Sequence, residues 1–229
     1  MSPGIQLALL AWGTLVGLDL VSVPQMMIAR PLAAGTVAGL IVGDLPSGLA
    51  LGVLFELFQY DILPVGAVRY PEYGPATVAA VSAAALVDGS PGLGLGALIG
   101  LMTALLGGIS LHLLRRVNGT AVHRADPRLE TGDPHVLMLL HAAGIGRDAL
   151  RAALVTAVGL VCAWLAARRL VPVLGFGELV RFDTALAAGA VAAALAAGAS
   201  GVVRTVGPGA NLRWFALGLT GGVVILWVL

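Results

Sequence analysis

Long apolar runs separated by short polar breaks fill the chain, and their lengths suit bilayer-crossing helices better than strands or the core helices of a soluble domain. A spanning helix needs about 20 mainly apolar residues. By that measure residues 92–114, 149–167 and 182–203 predict membrane helices. Residues 4–23 predict a first one, with no basic n-region of the kind that marks a cleaved signal peptide. The runs at 75–87 and 214–229 are shorter, and the last spans only with help from tilt or a neighbouring subunit.

Residues 35–59 depart from this pattern. They split into "GTVAGLIVG" and "GLALGVLFELF" on either side of "DLPS", and neither half reaches across a bilayer alone. Pro46 disfavours a helical conformation at Leu45, yet is itself accepted in a first helical turn. A break at membrane depth leaves amides and carbonyls that only protein or a water-filled cavity satisfies. The pattern predicts two half-helices in a re-entrant helical hairpin near residues 35–59, its tip at 44–47. The alternative is one kinked helix with Asp44 near its middle.

Composition supports the membrane class. The chain is 59% hydrophobic and 11% charged, against about 25% charged in ordinary soluble domains. Its mean hydropathy is +0.97. The expected fold class is therefore all-α, a polytopic integral membrane protein forming a single membrane domain over residues 1–229. A net charge of +1, with all 13 basic residues arginine, gives no footprint for nucleic acid. The single cysteine, Cys162, excludes an intrachain disulfide and a cysteine-based metal cluster.

The polar segment at 115–134, "RRVNGTAVHRADPRLETGDP", predicts an exposed loop dividing the domain into two membrane halves. Its excess of Arg over acidic residues points to the cytoplasmic side. Beyond it, "HVLMLLHAAGIGRDALRAAL" predicts an interfacial helix leading into the next span.

Candidate chemistry rests on carboxylates in apolar surroundings. Each costs on the order of 2.5–3.5 kcal/mol to insert, so such groups usually face a cavity or a partner. Glu56, within "LFELF", has no Lys or Arg within one helical turn and is the leading candidate. The competing reading is a neutral Glu hydrogen-bonded in a subunit contact. Asp44 is either a site residue or the N-cap of the half-helix that begins near Pro46, and the two roles are compatible. "PVGAVRYPEYGPA" at 64–76 offers Arg69, Tyr70, Glu72 and Tyr73, suited to sugar hydroxyls and ring faces, or else is an ordinary polar surface loop. Asp19 and Gln25 flank the end of the first span and could reach the same cavity or lie in interfacial water.

The remaining patterns are weak. In "GLGLGALIG" (92–100), Gly96 and Gly100 fit a helix-packing face better than a nucleotide loop. Asn118-Gly119-Thr120 matches a glycosylation sequon but is also a common turn sequence. The four histidines lack metal-ligand spacing, and no nucleophile motif is present. No cofactor, metal or catalytic residue is expected.

An ordered set of segments resembles the membrane-embedded IIC component of mannose/fructose/sorbose-type sugar phosphotransferase systems. It comprises "RPL" (30–32), "GLIVGDLPSGLALGVLFEL" (39–57), "PVGAVRYPE" (64–72) and "LLHAAGIGRDALRAAL" (139–154). The resemblance implies sugar transport in a bacterial cytoplasmic membrane. It implies an oligomer of IIC with a membrane-embedded IID partner, served by soluble IIA and IIB phosphocarrier proteins. By position it carries substrate contact to Asp44, Glu56 and Glu72. Gln25, in "VPQMMIA", stands where members have an acidic or Gln-containing cluster. Two further readings remain: a non-transporting scaffold or sensor of the same family, and a proton-coupled carrier.

Overall fold

The computed structural model describes residues 1–60, 62, 68–87, 92–206, 213 and 217. Asp61, residues 64–67 and the run 214–229 apart from Leu217 lie outside the described residues. The elements of the described residues follow in order: α1 (Pro3–Asp19), α2 (Pro31–Val42), α3 (Leu45–Gln59), α4 (Tyr73–Ala85), α5 (Leu93–Leu129) and α6 (Pro134–Val206). The described residues contain no strand.

Three stretches among the described residues have the length and apolarity to cross a membrane: Leu93–Leu129, Pro134–Arg169 and Gly177–Gly201. The last two both belong to α6. Gly159 packs on Thr103, while Asp183 accepts from the Leu95 amide at 2.9 Å. A straight helix would separate 159 from 183 by about 36 Å, three times the roughly 12 Å from 95 to 103 along α5. The path of α6 therefore bends between those contacts and returns to the same bundle. Asp183 supplies the cap that Gly92, with no side chain, cannot give to the first turn of α5.

α2 and α3 form the expected hairpin, broken at Gly43 and Asp44. Gly43 ends α2 in the left-handed region at φ 80°, where glycine is strain-free. Asp44 caps α3, and Pro46 stands in its first turn. The helices are 12 and 15 residues long, about 18 and 22 Å against a hydrocarbon core of about 30 Å. Neither crosses alone. Their facing side is glycine: a Cβ on Gly48 would lie 2.5 Å from the Gly35 carbonyl oxygen and 2.7 Å from Gly39 Cα. Trp12 donates from Nε1 to the Ala34 carbonyl at 3.0 Å and fastens α1 to this hairpin.

α4 lies at the centre, and every residue from Tyr73 to Ala84 is buried. Phe55 and Phe58 of α3 stack on Tyr73, with centroids 5.8 and 6.0 Å apart. Gly96 and Gly100 of α5 do form a packing face, against Ala80, Leu51 and Phe55. The short run expected at 75–87 is thus an enclosed helix of 13 residues, shifted two positions towards the N-terminus.

The segment at 115–134 differs from the expected loop. α5 runs through it to Leu129, and only Glu130–Asp133 turns, with Gly132 at φ 74°. Its polarity specifies exposure, and an exposed helix satisfies its backbone internally as well as a loop does in water. Residues 135–154 are helical, as expected, and form the start of α6, continuous with its first membrane-length stretch.

Candidate functional site

The ends of the hairpin hold the first two candidate carboxylates. At the tip, Asp44 Oδ1 accepts from the Ser47 amide at 3.1 Å, the N-cap bond anticipated for it. Glu56 lies twelve residues further along α3, about 18 Å away at the opposite end. Its partner comes from outside its own helix: Arg30 pairs with Oε1, and the Leu32 amide donates to Oε2 at 3.2 Å. Arg30 is the N-cap residue of α2 and Pro31 its first helical residue. The "RPL" segment thus starts α2 with a proline that needs no amide partner, while Glu56 takes one orphan amide and faces the positive end of the helix. The pair is partly open, with side-chain exposures of 47% for Arg30 and 23% for Glu56.

Glu72 belongs to a buried charge cluster where α1, α4, α5 and α6 meet. Its amide donates to the Ala104 carbonyl at 2.9 Å, and its carboxylate receives Arg151 through two bonds of 2.5 and 3.0 Å. Arg151 Nε donates to Asp148 Oδ1 at 2.8 Å, and the remaining donors reach Ser110 Oγ at 3.4 Å and the Gly17 carbonyl at 3.3 Å. All five guanidinium N–H groups are used. Asp148 Oδ2 accepts from Ser22 Oγ at 2.5 Å. One guanidinium thus serves two carboxylates, and the Ser22 hydroxyl gives Asp148 a further donor.

Ser22 also lines a cleft of about 600 Å³ between the α1–α2 connection, the polar end of α5 and the start of α6. Gln25, Arg115, Asn118, His141 and Arg147 contribute its polar surface. Of the four sequence candidates only Gln25 lines this cleft; Glu72 connects to it through Arg151, Asp148 and Ser22. Asp44 and Glu56 stand apart from it on the hairpin. Asp19 is buried and committed to the Met26 and Ala29 amides at 2.6 and 2.9 Å, fixing the connection that carries Gln25.

Sequence reasoning missed Arg30, Ser22, Asp148 and Arg151. Arg147, Asp148 and Arg151 stand together within "GRDALRAAL", so the insertion cost that flagged Glu56 applied equally to them.

Comparison with known proteins places these elements. Residues 5–174 match the family described as the sorbose-specific IIC component of the phosphotransferase system. The sorbose-specific EIIC component of Klebsiella pneumoniae is 34% identical over 55% of this chain and 46% of its own length. The fructose permease IIC component of Bacillus subtilis is 29% identical over 56% and 47%. The chain thus spans about half the length of the curated relatives it matches. A solved structure described as a membrane protein superposes with TM-score 0.75 at 17% identity, covering 100% of this chain and 92% of the other. The mannose transporter ManYZ in its complex with microcin E492 gives TM-score 0.58 at 20% identity, covering 97% and 87%. The family match spans α1 to α5 and the first membrane-length stretch of α6, hairpin and charge cluster included, and the chain belongs to the mannose-type phosphotransferase IIC components.

Proposed function

We propose that the chain is a sugar-transporting IIC permease subunit, multi-pass in the bacterial cytoplasmic (inner) membrane. It binds and moves a hexose-like sugar together with a IID membrane subunit, in an oligomer. Soluble IIA and IIB proteins phosphorylate the sugar, and this chain carries no phosphorylated or catalytic residue. The observation that carries the proposal is the partly open Arg30–Glu56 pair at one end of a hairpin too short to span the bilayer. A discontinuous helix pair of this kind builds substrate sites in many transporters. A carboxylate accepts from sugar hydroxyls and a guanidinium donates to them, so the pair offers both halves of the recognition. Asp44 at the tip, and Gln25 and Glu72 at the cleft and behind it, are the further proposed contacts.

The test is uptake in vesicles containing this chain and IID, with and without phosphorylated IIB. Sugar phosphate should accumulate only with all components present. Glu56→Gln keeps the shape and an oxygen for the Leu32 amide but removes the charge; uptake should fall about tenfold or more. Unchanged uptake and sugar affinity would remove Glu56 from the site.

The commitment of Asp44 and Glu72 to structural bonds favours a second reading, a non-transporting scaffold or sensor of the same family. Absence of uptake of any hexose by a demonstrably assembled membrane complex would select it.

A further inference from the structure

We propose that the cleft between the α1–α2 connection, α5 and α6 binds a phosphate group. Its volume of about 600 Å³ falls within the roughly 300–1,000 Å³ of small-ligand sites. Two arginines line it and no carboxylate does. Arg115 donates to two neutral oxygens, the Val68 carbonyl at 3.0 Å and Tyr70 Oη at 2.8 Å, with its guanidinium 5.3 Å from the Tyr70 ring centroid. Arg147 donates to the neutral amide oxygen of Asn118 at 2.6 Å. Neither belongs to an ion pair among the described residues.

The nearby carboxylates do not neutralise them. Glu72 and Asp148 are turned to Arg151, and Asp148 also takes the Ser22 hydroxyl. Ser22 therefore presents an acceptor and not a donor to the cleft, which leaves the two guanidinium groups, the Gln25 amide, the Asn118 amide nitrogen and the His141 ring N–H as anion donors. Two positive charges held by neutral acceptors, with donor capacity to spare, match the charge and acceptor oxygens of a phosphate monoester or diester.

Arg115 follows the apolar run of α5 immediately, where the sequence changes from apolar to polar. Both a water-soluble sugar phosphate and an anionic lipid headgroup bring the same group there. The inference rests on the cleft alone and is independent of transport.

The test uses the full chain in nanodiscs. In phosphatidylcholine discs, inorganic phosphate and a hexose 6-phosphate are titrated calorimetrically. In discs of equimolar phosphatidylcholine and phosphatidylglycerol, retention of phosphatidylglycerol through delipidation is followed by mass spectrometry. Saturable binding in the first arm identifies a soluble phosphate, and selective retention in the second a headgroup. Asn118→Asp, isosteric, places a carboxylate against Arg147 and should weaken whichever binding is seen by about tenfold. Arg147→Gln should do the same, and Arg168→Gln, beyond the lining of the cleft and stacked on Trp164, should not. Failure of both arms, or binding indifferent to Asn118→Asp and Arg147→Gln in chains that melt normally, would overturn the assignment.

Discussion

Arg151→Met is expected to destabilise the protein by about 3–5 kcal/mol, the penalty for removing one partner of a buried ion pair. Glu72 has no side-chain exposure and Asp148 1%, so neither carboxylate can turn to water when the guanidinium goes. The loss also strands the Gly17 carbonyl and removes the bonds through which Arg151 ties α1, α4 and α6 at one point. Arg151→Lys keeps a charge but has three donors for the acceptors that five N–H groups now serve, and should fall between. The decisive comparison is the triple exchange Arg151→Met, Glu72→Gln, Asp148→Asn, which removes the stranded charges and should regain much of the loss. Thermal melting in detergent or nanodiscs measures all three. A single Arg151→Met with wild-type melting would show that the cluster does not bear on stability.

Gly48→Val should break the hairpin, at about 3 kcal/mol. The atoms a new Cβ would meet are the Gly35 carbonyl oxygen and Gly39 Cα and N, all backbone, which cannot rotate aside as a side chain would. Relief requires α2 and α3 to separate, and that in turn moves Glu56 from Arg30 and the Leu32 amide. The same exchange at Gly119, where nothing lies within 4 Å, tests valine in a helix without the clash. It should leave melting unchanged or raised. Equal effects at both positions would mean that the glycine contact of the hairpin is not close in solution.

How much was legible in the sequence depended on whether a signal was local. The hairpin was visible because Gly43, Asp44 and Pro46 each act on their immediate neighbours, and so was the cap at Asp44. The helical course of 115–129 was not, because charge reports solvent contact and says nothing of whether the backbone is regular. Glu56 was recognised as a costly carboxylate, but its partner lies 26 positions earlier, beyond any local window. Glu72 and Arg151 are 79 positions apart, and only the packing of four helices brings them together. A local reading finds groups that need partners; the fold supplies the partners.

The enclosure of α4 shapes how the chain tolerates change. α5 alternates between buried positions such as Gly96, Gly100 and Ala104 and exposed ones such as Leu98, Met102 and Leu105. Substitutions along it should rise and fall in severity with the 3.6-residue helical rhythm. α4 has no outward face, and its Gly, Ala, Ser, Thr and Val side chains are small because helices press on it from every direction. A full substitution map should lose that rhythm over residues 73–84, leaving a flat band of intolerance in which size, and not polarity or position on the helix, decides what the chain accepts.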